Sequence, residues 1–471
     1  MTINSSLDPS LGSRFIKEFK ELIYLAGPIL GAQLASTGMG FIDTSMSGQY
    51  SAIDLAAVAL GSSIWIPAYL LVKGALMAIT PTVAQLFGAR KVDEIASPVR
   101  QAMWMSLLLS VAIVAFMLTP EPLMNFLELD PAISGITAEY LKAVSWGIPA
   151  YCLYNVLTSY CEGRSITKPA MLISFVGLLI NIPLNYVLIY GKFGFPELGG
   201  VGCGYATAIC FVAMTLMMFA YVHFDDRHKA IGMFKTLELP NLEIIKDLLK
   251  LGIPMGLGIF FEASIFSAVA LVIGKLGAVI VAGHQIALNF ASMAFMVPLS
   301  LSIGITIRVG QAIGAGDMKA ARFSSFAGIA TTLLTATISA TGMLLFAEEI
   351  ASVYTREPTV LALAAELLFF AAVFQYADGV QVAANGALRG YKDTKVPMVI
   401  IFIACWGIAL PLGYTLGLTN LITEPMGPHG LWIGLVVALT ISAVFLTLRL
   451  KSLSSRILMT ESKVASVQMA S

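Results

Sequence analysis

Charge is scarce in this chain. Lys, Arg, Asp and Glu make up 12% of its 471 residues, against roughly 25% in a soluble domain. The 28 basic and 28 acidic residues cancel to a formal net charge of zero, leaving no basic excess for nucleic acid. The cysteines Cys152, Cys161, Cys203, Cys210 and Cys405 all lie in or beside apolar stretches, and no pair has metal-ligand spacing, which excludes a zinc site or a disulfide framework. The sequence holds no His-Glu-x-x-His and no phosphate-binding P-loop, which argues against metalloprotease chemistry and ATP-driven transport. Arg14, Lys17 and Lys20 are not followed by an apolar segment ending in a small-residue cleavage site, so the first span is expected to act as its own insertion signal.

What the chain has is hydrophobic length: 58% of its residues are apolar. Stretches long enough to cross a bilayer (about 20 residues) fall near 22–46, 56–82, 101–119, 138–160, 169–190 and 200–222, and again near 248–274, 280–307, 323–346, 361–385, 395–418 and 430–450. The expected fold is an all-α polytopic membrane protein with twelve transmembrane helices. An even number of crossings puts both termini on one side. On the opposite side the loops carry only Lys192, Lys275 and Arg356, whereas basic clusters such as Arg90-Lys91 and Arg389 to Lys395 lie on the terminal side. By the positive-inside rule both termini are cytoplasmic.

The polar segment 223–247 divides the chain into an amino-terminal lobe, 1–222, and a carboxy-terminal lobe with a short tail, 248–471. The halves repeat. Pro28 recurs as Pro254, and Gln85-x-x-Gly88-Ala89 as Gln311-x-x-Gly314-Ala315, both at a shift of 226; Gly163-x-x-x-Thr167-Lys168 recurs as Gly390-x-x-x-Thr394-Lys395 at 227. Six helices per copy give both the same orientation, a parallel pseudo-two-fold repeat about the membrane normal, the plan of transporters that bind substrate between halves.

Three acids, Asp43, Glu262 and Asp378, sit inside the apolar runs. A carboxylate at a helix centre costs roughly 2.5–3.5 kcal/mol on insertion scales, so each is expected to face a wet cavity or a partner. The repeat does not require them: their counterparts are Val269, Ser36 and Tyr151. Asn181 and Asn185 share a helical face, with Pro183 between them expected to break the helix and free a carbonyl for a cation.

These residues resemble a known family. The Gly-Pro helix with Phe41-Ile42-Asp43-Thr44, the Gln-x-x-Gly-Ala loop, Tyr160-Cys161-Glu162-Gly163-Arg164, Asn181-Ile182-Pro183-Leu184-Asn185-Tyr186, Phe261-Glu262 and Ala377-Asp378-Gly379 are similar to the multidrug and toxic compound extrusion family, in its bacterial NorM-like branch, over roughly 15–450. The resemblance implies a monomeric, multi-pass antiporter of the bacterial inner membrane that expels cationic aromatic drugs and dyes, with Na⁺ or H⁺ as coupling ion and neither ATP nor a cofactor. It also implies a carboxy-lobe cation site at Glu262 and Asp378, the candidate Na⁺ ligands, and an amino-lobe site at Asp43, Asn181 and Asn185. A position that is Tyr in some relatives is Phe295 here, which removes any role for a hydroxyl there.

The chemistry is consistent with that reading. A buried carboxylate has its pKa raised and binds a proton, a hard cation or an organic cation in competition. Aromatic faces attract organic cations by roughly 0.5–2 kcal/mol each; Phe261, Phe266, Phe295 and Tyr376, on helices that carry or neighbour the acids, are the expected drug wall. Other readings fit the residues less well; a receptor or structural membrane protein gives no reason for tandem repeats with buried acids. A lipid-linked precursor flippase on the same fold handles an anionic cargo and calls for cationic walls. An intramembrane enzyme needs a nucleophile–base pair or metal motif that the sequence lacks.

Overall fold

The computed structural model describes residues 11–120, 122, 124, 130–236 and 238–470, with side chains to residue 461. It is helical, and no strand occurs among the described residues. The first half of the chain contains α1 (Leu11–Tyr50), α2 (Ala52–Leu76), α3 (Ile79–Gly88), α4 (Ala96–Leu118), α5 (Pro131–Ser145), α6 (Ile148–Gly163), α7 (Lys168–Tyr190) and α8 (Gly200–Phe224). The second half contains α9 (Leu242–Ile273), α10 (Ala278–Gly314), α11 (Met318–Leu345), α12 (Ala347–Tyr354), α13 (Pro358–Gly390), α14 (Lys395–Phe402), α15 (Leu410–Leu418) and α16 (Pro428–Ala470). A π-helical stretch, Ile403–Ala409, joins α14 to α15.

Among the described residues eleven stretches are long and apolar enough to cross a bilayer, and the chain is an all-α polytopic membrane protein. The expected span 138–160 is divided: α5 and α6 are 15 and 16 residues long and meet at Trp146 and Gly147. Pro149 in the first turn of α6 has no N–H to continue the ladder. A Cβ at Gly147 would lie 2.6 Å from the Ala208 Cα, so the bend lets two backbones touch. Close approach through small residues is how helices pack where lipid supplies no hydrophobic drive.

The chain forms two compact units. One comprises the chain up to Gly27, Val269–Tyr391 and Gly407 onward; the other comprises Pro28–Ala268 and Lys392–Trp406. The dividing points Gly27/Pro28 and Ala268/Val269 fall inside α1 and α9. In the first unit α13 lies along α10: Ser302 Oγ donates to the Val382 carbonyl at 2.8 Å and Thr306 Oγ1 to that of Gly386 at 2.7 Å. Glu18, from the start of α1, accepts two bonds from the Arg308 guanidinium, at 2.9 and 2.7 Å. In the second unit Ser51 caps α2 by accepting from the Ile53 N–H at 3.1 Å. Asp54, one turn on, accepts the first N–H of α8, from Gly200, at 2.6 Å, which fixes where α8 begins.

The sequence repeat is written into the backbone. A Cβ on Gly163 would sit 2.7 Å from Val83 Cβ and 2.9 Å from the Thr80 carbonyl; one on Gly390 would sit 2.8 Å from Val309 Cβ and 3.1 Å from the Thr306 carbonyl. Those neighbours are themselves 226 residues apart. The left-handed turns repeat as well, with Arg90 at φ 59° matching Gly316 at 77°, and Ser165 at 63° matching Lys392 at 60°.

Candidate functional site

Asp43 lies on α1, Asn181 and Asn185 on α7, and Thr207 on α8, all in the second unit. The structure brings them into one cluster. Asp43 Oδ1 accepts from Asn181 Nδ2 at 3.0 Å and from Asn185 Nδ2 at 2.6 Å. Its Oδ2 accepts from Thr207 Oγ1 at 2.9 Å, and Asn185 Nδ2 also reaches Asn181 Oδ1 at 3.0 Å. Both asparagines are fully buried and Asp43 is 7% exposed, so it is an interior group rather than a solvated helix end. No ion pair to Asp43 occurs among the described residues. Asn185 Oδ1 is buried with no hydrogen-bond partner.

One expectation needs correction. Helix α7 runs unbroken from Lys168 to Tyr190 with Pro183 inside it. Transmembrane helices absorb a proline by local adjustment and by neighbouring contacts. What the asparagines bring to Asp43 is their side-chain amides, held on one helical face, with no break in the helix.

Glu262 is half-buried on α9 in the second unit, and Asp378 is 1% exposed on α13 in the first. Asp378 sits in a bundle whose α13 backbone is held to α10 by the Ser302 and Thr306 hydroxyls. One turn before it, Gln375 Nε2 donates to the Ala291 carbonyl at 3.4 Å. The aromatic candidates are distributed likewise. In the second unit Phe261 packs against Phe402 with ring centroids 4.8 Å apart, and its carbonyl accepts from Trp406 Nε1 at 3.3 Å. Phe266 and Phe295 are half-buried. In the first unit Tyr376, 38% exposed, lines a groove of about 540 Å³ with Val373, Thr440 and Val444. Phe374, by contrast, is packed inside against Trp432 at 6.2 Å.

Sequence reasoning missed three features of the second unit. Thr207 and Cys203, four apart on α8, flank the Asp43 carboxyl; their i, i+4 spacing was the available signal. Glu162 is a further buried acid, 8% exposed, which accepts from Thr80 Oγ1 at 3.4 Å and feels the charge of Lys73. Its counterpart in the second half is the buried Arg389. Third, Tyr151, the counterpart of Asp378, stacks on Phe211 at 3.9 Å and on Tyr69 at 4.9 Å. Where one half holds a carboxylate, the other holds a column of rings.

Comparison with known proteins agrees with this architecture. The MatE family profile matches residues 28–187 and again 254–415, two segments whose starts are 226 apart, as in the internal repeat. The chain is 48% identical over 448 residues to the multidrug resistance protein PmpM of Pseudomonas aeruginosa, covering 94% of each chain. It is 46% identical to the multidrug resistance protein NorM of Photobacterium profundum, covering 92% of this chain and 95% of that one. Among solved structures, a MATE protein in the bent conformation superposes with a TM-score of 0.85 at 21% identity, over 95% of this chain and 99% of that one. An outward-facing multidrug resistance MATE transporter gives 0.84 at 21%, over 93% and 96%. The chain belongs to the MATE family of multidrug efflux transporters. It is a polytopic membrane transporter and not an enzyme.

Proposed function

We propose that this transporter is an antiporter that exports organic cations by alternating access, with Na⁺ or H⁺ moving the other way. The observation that carries the reading is Asp43, a buried carboxylate whose partners Asn181, Asn185 and Thr207 are all neutral. An uncompensated buried charge is too costly to persist. A proton, a sodium ion or a cationic drug each neutralises it, and competition for one negative charge is sufficient for exchange. The unpartnered Asn185 Oδ1 adds a second oxygen beside the carboxylate, which suits a hard cation. Glu262 in the second unit and Asp378 in the first are further coupling acids in this scheme, and Phe261, Phe266, Phe295 and Tyr376 are drug-contacting residues of their respective units. The protein works as a monomer in the bacterial inner membrane with both termini in the cytoplasm. Its working halves are 1–222 and 248–471, joined by 223–247. One monovalent ion exchanged for one monovalent drug moves no net charge, so the membrane potential, worth about 2.3 kcal/mol per charge at 100 mV, contributes only when a second ion enters.

The test is dye efflux from vesicles containing the purified protein, with Na⁺ and pH gradients imposed separately. Ethidium export is expected under one of the two gradients, and Asp43→Asn, or Glu262→Gln with Asp378→Asn, should abolish it while leaving the melting temperature of the protein near that of the wild type. Export by Asp43→Asn at the wild-type rate would remove the basis of the proposal.

A further inference from the structure

The second compact unit contains a cavity of about 490 Å³ whose lining includes Lys250, Lys392 and Lys395 together with Asp247 and Asp393. Lys250 and Lys392 lie 12 and 14 residues along the chain from Glu262 and Asp378, and nothing in the export scheme uses the cavity. Two remote segments supply the lysines: the first turns of α9, and the turn between α13 and α14. Lys250 Nζ is already committed to Asp247 at 2.8 Å. Lys392 and Lys395 make no ion pair among the described residues.

The turn that presents Lys392 is unusual in what it carries. Lys392 stands at φ 60°, a region that favours Gly or Asn and that a long side chain occupies at a cost. Its counterpart in the first half, Ser165 at φ 63°, has no charge. The fold therefore requires the bend but not the lysine. Next to it, Thr394 gives its hydroxyl to the Leu251 carbonyl at 3.0 Å, and α14 begins without a side-chain cap. Lys392 and Lys395 are both exposed; the protein beside the Lys392 ammonium nevertheless lowers its pKa from the usual lysine range, so an anion there recovers lost solvation.

The walls decide which anion. Ile244, Leu248 and Leu251 from α9, with Pro98 from α4, give the cavity an apolar side. An inorganic ion gains nothing from such a surface, whereas glycerol and the first methylenes of an acyl chain do. Asp393, in the same lining, disfavours a ligand of several negative charges by like-charge repulsion. From this geometry we infer that the cavity binds the phosphodiester headgroup of a singly charged anionic phospholipid, with Lys392 and Lys395 as its ligands. Basic pockets beside membrane helices are well suited to such headgroups.

The experiment is retention of added lipid by the purified full-length protein in detergent, read by native mass spectrometry. One phosphatidylglycerol is expected to stay bound, with phosphatidylcholine retained about tenfold less. Lys392→Gln combined with Lys395→Gln should lower phosphatidylglycerol retention about ten- to thirtyfold, while Lys17→Gln with Lys319→Gln, exposed basic positions of the other unit, should leave it unchanged. Equal retention by the cavity variant and the wild type would overturn the inference, as would equal loss in the control variant or equal retention of phosphatidylcholine. Displacement of the lipid by millimolar inorganic phosphate would assign the site to a free anion and also overturn it. The readout needs no transport, so failure here and failure of the export scheme are separate results.

Discussion

Asn185 Nδ2 lies 2.6 Å from Asp43 Oδ1, while the oxygen of the same amide has no donor. Asn185 thus stabilises the carboxylate with one atom and offers a bare acceptor with the other. The arrangement is sensitive to the charge on Asp43, and that can be measured. Asn185→Ala should cost about 1.5–3 kcal/mol, the range for a hydrogen bond to a charged group, in chemical denaturation at neutral pH. In an Asp43→Asn background the same substitution should cost about 0.5–1.5 kcal/mol, as for a neutral pair. Strict additivity of the two changes would mean that the pair is not coupled.

Gly163 and Gly390 make a matched experiment. Each meets a valine Cβ within 2.8 Å of where its own would be, and a threonine carbonyl beside it. Gly163→Ala and Gly390→Ala should each destabilise the protein by about 1–3 kcal/mol through overpacking, by similar amounts. Gly342→Ala on α11, where an added Cβ meets nothing within 4 Å, should instead be neutral or stabilising by about 0.5–1 kcal/mol. Melting temperatures of the three variants decide it. No loss at 163 and 390 would show that the clefts there relax freely.

His228 gives a pH dependence outside the membrane. Its Nδ1 lies 2.7 Å from Arg164 Nη1 and 2.7 Å from the Tyr160 hydroxyl. The arginine can only donate, so Nδ1 carries a lone pair and the ring is neutral. Burial, then the Arg164 charge, push its pKa down to about 4 from 6.5, with Asp225 opposing and Arg227 adding. A depressed folded-state pKa means that the stabilisation is complete above pH 6.5 and is lost as pH falls through about 4. Hydrogen exchange over 223–236 should therefore accelerate progressively from pH 6.5 towards 4 after correction for the intrinsic rate, and His228→Gln should flatten that dependence. A flat wild-type profile would contradict the assignment.

The sequence made the helices and the repeat legible, because apolar length and recurrent Gly and Pro are strong local signals. It also exposed Asp43, Asn181 and Asn185 as a face-sharing set. It did not reveal Thr207 as the third donor, since a threonine in an apolar helix usually bonds its own backbone. The division of the span 138–160 was hidden because Gly147 earns its place through contact with Ala208, a residue far along the chain. The continuity of α7 through Pro183 was likewise decided by packing, which no local propensity encodes. The cavity beside Lys392 was invisible for a related reason: its lysines read as ordinary loop charges until α9 and the 392–395 turn are placed side by side.

The exchange of Glu162 for Arg389 at equivalent positions, with Gly163 and Gly390 unchanged directly after them, separates two kinds of residue in this chain. The glycine contact points are common property of both copies, while the interior acids are private to one. An engineer can therefore rewrite the polarity of one copy and keep its joints. Grafting the acid of one half into the other changes a side chain and leaves the glycine contact that follows Glu162 or Arg389 in place.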